Sequence, residues 1–230
     1  MSMGGWMTGF AAAGGPWQAG LGVLLAAGAM ASMALSSDSV GPPSVLDVWD
    51  KVKAPPPPRL KAVELAPKTT ALLILDIEKR TTNMERRPRA VASVPRIAAL
   101  LAKARAAGMP VAYSLTSGAE PQTILKEVTP REAEPIVKAS VDKFHGTDLA
   151  AFLKKKGVKT VLIVGTAAEG AVLHTATAAA IRGFDVVVPV DGMSSSELYA
   201  EQYTAWHLVN APGSRRRATL TKMDMIRISK

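Results

Sequence analysis

The 230-residue chain contains no cysteine. Disulfides, thiolate metal sites and a cysteine nucleophile are thereby excluded, whereas the redox compartment stays open. Histidine is scarce too. His145, His174 and His207 are the only three and show no metal-ligand spacing, so neither a metal nor another cofactor is expected. Aromatic residues make up 5% of the chain, too few to interleave with basic runs as a nucleic-acid surface requires. No charged side chain precedes Asp38, and no Lys or Arg precedes Lys51.

That uncharged start has a character of its own. "LGVLLAAGAMASMA" (21–34) has the length of a signal-peptide hydrophobic region, and "AMA" and "SMA" offer small-residue cleavage sites. It lacks the basic flank of an export signal and is shorter than the roughly 20 apolar residues of a spanning helix. Residues 1–34 are expected to be a signal peptide or an N-terminal membrane anchor. The protein is then exported to the periplasm or secreted, or held at the membrane through this segment alone. Residues 35–67, with "GPP" and "PPPP" around a short helical stretch "SVLDVWDKV", are expected to form a linker or an arm.

The net charge is +9, and acids balance bases over the first 66 residues, so the excess belongs to the remainder. Its densest runs are "EKR" with "ERRPR", then "KKK" and "RRR". They read as solvated surface, or as an attractor of anionic substrates, rather than as a nucleic-acid site.

From residue 68 to 230, short apolar runs alternate with helical periods. "ALLILD" (71–76), "PVAYSL" (110–115), "TVLIVG" (160–165) and "DVVVPVD" (185–191) are predicted strands, with a last one near "MIRI". Helices are predicted from a Ser93 cap with Pro95 in the first turn to a stop at Gly108, through "TDLAAFLKKKG", from about Ala168 to Arg182, and through "SSELYAEQYTAWHL". Alternating strands and helices imply a mainly parallel sheet, with ligands beyond the carboxyl ends of its strands.

The motifs "TTALLILDIEK", "FHGTDLAAFLKKKGVKTVLIVG" and "GTAAEGAVLHTATAAAIRGFDVVVPVDGMSS", in that order, resemble the isochorismatase-like hydrolase superfamily over roughly 68–229. The resemblance implies a Rossmann-like three-layer α/β/α fold with a six-stranded, mainly parallel sheet. Most members carry an Asp–Lys–Cys triad. The matching Asp is Asp76; counting six residues back from Phe144 places the Lys at Lys138, with Lys143 close by. The position of the Cys is Ala171, so thiolate attack is ruled out. True isochorismatases also lack the thiol and cleave a vinyl ether by acid–base chemistry. This chain departs from them after the Asp, reading Ile77-Glu78-Lys79.

The resemblance implies a Cys-independent hydrolase of a small molecule, with Asp76 and Lys138 catalytic. Amides around Ala167, Ala168, Gly170 and Ala171 would hold an anion at the helix start. Beside a lysine, Asp76 is expected to be ionised at neutral pH, and proton donation would need burial. The alternative is a non-catalytic protein that binds a small ligand or assembles through this surface. Self-association is expected from the resemblance.

Overall fold

Strands covered on both faces carry apolar side chains on both, and the apolar runs "ALLIL" and "VLIV" lie side by side in the sheet. The computed structural model describes residues 41–229, so the hydrophobic segment 1–34 lies outside the described residues. The chain divides into two units, residues 1–52 and 53–230. Within the first, a 3-10 turn spans Leu46–Lys51, where the short helical stretch was predicted. Ser44 donates from its amide (2.8 Å) and hydroxyl (2.7 Å) to the Asp47 carboxylate.

The second unit begins with strand β1 (Val63–Leu65) and continues with β2 (Thr70–Leu75), helix α1 (Pro88–Ala106) and β3 (Val111–Leu115). The edge strand β4 (Ile136–Lys138) precedes α2 (Leu149–Lys155) and the central β5 (Thr160–Thr166). A π-turn at Ala168–Val172 runs directly into α3 (Leu173–Ile181). Then come β6 (Asp185–Pro189), β7 (Met193–Ser194), α4 (Leu198–Asn210), β8 (Ala218–Thr221) and β9 (Ile226–Ile228).

The main sheet has the order β4-β3-β2-β5-β6-β8, with every neighbouring pair parallel. The short β7 joins β5 at its carboxyl end. Six strands on the main path match the six expected. Two of them, β4 and β8, were not predicted, and "MIRI" is not the last strand of this sheet. Ile226–Ile228 instead pairs in parallel with Val63–Leu65 in a separate two-stranded sheet. Short, half-exposed edge strands carry no long apolar run, and nothing local encodes a partner more than 150 residues away.

Alternation along β2 divides the core. Leu72 and Ile74 face α1, meeting Val94, Ile97 and Leu101. Ala71, Leu73 and Leu75 face the other layer, with Leu149 and Leu153 of α2 and Leu208 of α4. Helix α1 starts five residues earlier than its predicted cap, at Pro88, where a missing N–H costs nothing. Ser93 is therefore inside the helix, its hydroxyl donating to Ala90 O at 2.7 Å, and Pro95 lies in the helix body. Gly108, at φ +68°, follows its end as predicted.

Candidate active site

From β2 the chain moves outward to β3 and β4, then returns to the opposite side of β2 with β5. The order of strands therefore reverses between β2 and β5, and ligands in parallel sheets bind beyond the carboxyl ends at such a point. Asp76 follows the last residue of β2, and the Ala167–Ala171 turn follows β5.

Asp76 sits at φ +53°, in the left-handed region, where a residue with a Cβ carries a cost of about 1–3 kcal/mol. Its surroundings hold it there. The Asp76 amide donates to Ser114 O at 3.1 Å, and its carbonyl accepts from the Thr81 hydroxyl. Its carboxylate Oδ1 accepts from Ser114 Oγ at 2.7 Å, and Oδ2 lies 2.8 Å from Lys143 Nζ. Lys143 is fully buried, and its ammonium also donates to Ala139 O at 3.0 Å and Leu115 O at 3.4 Å. Three partners match its three donors, which lets an ammonium sit in the interior.

Burial pushes the Asp76 carboxyl above the ordinary aspartate range; Lys143 and Ser114 pull it down without cancelling that effect. The sequence offered two influences on this group, a neighbouring ammonium that favours the ionised form and burial that favours proton donation. Both are present, and the direction of the shift follows the burial.

The lysine is not the one that the motif spacing selects. Lys138 ends β4 at the sheet edge, where Nζ pairs with Glu120 Oε1 at 2.8 Å, both side chains being substantially exposed. It does not meet Asp76. Lys143, five residues later, enters from the loop after β4, with its amide held by Thr175 Oγ1 at 3.2 Å. Its place beside Phe144 was visible in the sequence; its burial was not.

Asp76, Ala167, Gly170 and Ala171 share the wall of one cavity of about 580 Å³. Ala168 is not on that wall; its side chain is fully buried in the core with Leu75 and Val172. His174, one turn beyond Ala171, is exposed. Lys143 also stays behind the wall, so it touches the carboxylate and not the cavity. Arginines missing from the predicted site do reach it: Arg80, Arg86 and Arg87, from the loop after β2. Their signal was the run "EKR…ERRPR".

The residues that depart from the isochorismatase pattern have a structural use. Ile77 and Glu78 are buried, and the Glu78 carboxylate accepts from Thr116 Oγ1 (2.5 Å) and Thr123 Oγ1 (3.0 Å). Arg80 in turn donates to Thr116 Oγ1. These bonds tie the loop after β2 to the loop after β3, so two sides of the cavity are joined.

A protein-family model described as the isochorismatase domain matches residues 70–219. The secreted isochorismatase effector of Verticillium dahliae is 35% identical over 118 residues, covering 46% of this chain and 62% of that protein, less than two thirds of its length. An uncharacterised isochorismatase family protein of Escherichia coli is 30% identical over 166 residues, 61% of this chain and 87% of that one. Among solved structures, an isochorismatase family protein from Desulfovibrio vulgaris superposes with a TM-score of 0.60 at 24% identity. That superposition covers 68% of this chain and 95% of the other, a likeness of fold.

Proposed function

The chain belongs to the isochorismatase family, and on that premise we propose that its cavity hydrolyses a small molecule by acid–base chemistry without a covalent intermediate. Asp76 is the proton-transferring group, and Lys143 is its charge partner. The observation that carries this is the Asp76 carboxyl itself. It belongs to a residue that lines the cavity, is backed by Lys143 at 2.8 Å, and stands with Ala171 on a wall that holds no thiol.

The raised Asp76 carboxyl favours proton donation, the direction a general acid needs. Amides and esters call for a nucleophile, whereas a vinyl ether is activated by a proton alone. In such a reaction Asp76 protonates the terminal alkene carbon, and water adds to the resulting oxocarbenium carbon, returning a proton to the carboxylate. The hemiketal then breaks into a carbonyl compound and an alcohol, so one water is consumed per bond cleaved. Amides of the Ala167–Ala171 turn orient an anionic part of the ligand, except that of Gly170, which the sequence also suggested but which is already bonded to Ala167 O at 3.1 Å.

Because Lys143 lies behind the cavity wall, its role is to set the charge and position of Asp76, not to hold substrate charge. Export is proposed as well, supported by the secretion named for the Verticillium relative and by the hydrophobic segment at 21–34.

The test is Asp76→Asn, assayed against vinyl-ether, ester and amide substrates. Vinyl-ether hydrolysis should fall at least about a hundredfold, the usual worth of a positioned acid. Turnover unchanged by the substitution would remove Asp76 from the chemistry and favour a binding role for the cavity.

A further inference from the structure

Arg87 sits at the entrance to α1 with 8% of its surface exposed, and it is one of the residues that line the cavity. Its bonding is poor for so buried a cation. Nη1 donates to Thr81 O at a long 3.3 Å, and Nε is buried with no partner. No ion pair among the described residues includes it. A lysine so placed could shed its proton; a guanidinium cannot, and it stays charged.

The nearby acids do not resolve this. Asp76 is already engaged by Lys143 and Ser114. Glu169 is close enough to act on Arg87, yet its Oε2 is itself buried without a partner. Arg86 adds a like charge, and Arg80 stands on the same wall. Three arginines therefore line a cavity whose one lining acid, Asp76, is already engaged.

We propose that Arg87 is the anchor for an anionic group of the ligand. The cavity takes a small molecule carrying a carboxylate or phosphate, forked by the Arg87 guanidinium, with Arg80 and Arg86 at the mouth and the reacting bond towards Asp76. This deepens the proposed function and rests on the cavity being its ligand site, but not on Asp76 performing chemistry.

The experiment is binding to the full chain, by calorimetry and thermal shift at constant ionic strength, of succinate, inorganic phosphate and the neutral succinamide. The wild-type protein should bind an anion and ignore succinamide; preference for succinate assigns a carboxylate, and preference for phosphate a phosphoryl group. Arg87→Met should weaken anion binding at least about tenfold, the loss of a charged hydrogen-bonded contact, while raising the melting temperature of the free protein. If Arg87→Met does not fold, Arg87→Lys and the surface variants Arg80→Gln and Arg86→Gln decide by the same loss of affinity. Asp76→Asn should keep anion binding even where turnover is lost, which separates this proposal from the catalytic one. Anion binding untouched by the arginine variants, equal binding of succinamide, or no binding of either anion overturns it. So does a melting temperature lowered equally by Arg87→Met and Glu169→Gln with anion binding intact, since the guanidinium would then serve Glu169.

Discussion

Gly165 on β5 lies opposite Leu75 on β2 so closely that a Cβ at position 165 would stand 2.1 Å from the Leu75 carbonyl oxygen. Gly165 also has φ +138°, a conformation that side chains rarely adopt. The contact joins the two strands whose ends carry Asp76 and the Ala167–Ala171 turn. Gly165→Ala should therefore destabilise the protein by about 3 kcal/mol or more, combining overpacking against backbone with dihedral strain. Urea denaturation measures it, and a cost below about 1 kcal/mol would show that the strands separate freely.

The two candidate lysines differ in burial, and stability tells them apart. Lys143→Met removes the partner of a buried carboxyl and should cost about 3–5 kcal/mol. Lys138→Met breaks a pair whose side chains are 39% and 60% exposed, worth about 0–1 kcal/mol. Parallel denaturant melts of the two variants check the order. Activity should follow it, with Lys143→Met strongly impaired and Lys138→Met close to wild type. The reverse order would return Lys138 to the site.

How far the sequence reveals this arrangement depends on where each signal resides. "ALLILD" and "TVLIVG" announce β2 and β5 because both faces of a central parallel strand are buried. "IVK" and "ATLT" do not announce β4 and β8, since strands of three and four residues at a half-exposed sheet edge have no periodicity to read. Asp76 is legible because a strand terminus sets its position. Lys143 is not, because motif spacing points to Lys138 and only tertiary packing shows which ammonium is enclosed. The arginine run is plain in the sequence. Which of its members turns inward depends on where α1 begins, and Pro88, not Ser93, sets that start.

The acidity of Asp76 makes a prediction about pH with a definite sign. Burial raises its folded value above that of the unfolded chain, so folding favours the protonated form. Its stabilising contribution is complete below the unfolded value, near 3.9, and is lost as pH rises through the folded value. If the protonated carboxyl is the general acid, kcat should decline over that same upper window. The descending limb then lies above the ordinary aspartate range. A pH–rate profile checks this; a rate that instead climbs through the window would assign Asp76 as a base activating water.

Restoring a thiol tests the Ala171 part of the cavity wall. Ala171 is 3% exposed, lies on the cavity wall within the first turn after β5, and belongs to a chain with no other thiol to confuse the result. In Ala171→Cys the sulfur would sit at a helix start, where the positive end of the backbone dipole lowers a thiol's pKa. Iodoacetamide should label that variant at one site near neutral pH, and a denatured control should label more slowly. A thiolate there has Asp76 on the same cavity wall and backbone amides around it, so weak ester or amide hydrolysis should emerge with a burst of acyl-enzyme. Adding Asp76→Asn to this variant should slow acylation without abolishing labelling. A thiol at 171 that resists labelling would mean the cavity does not reach Ala171, and the common wall with Asp76 would fall with it.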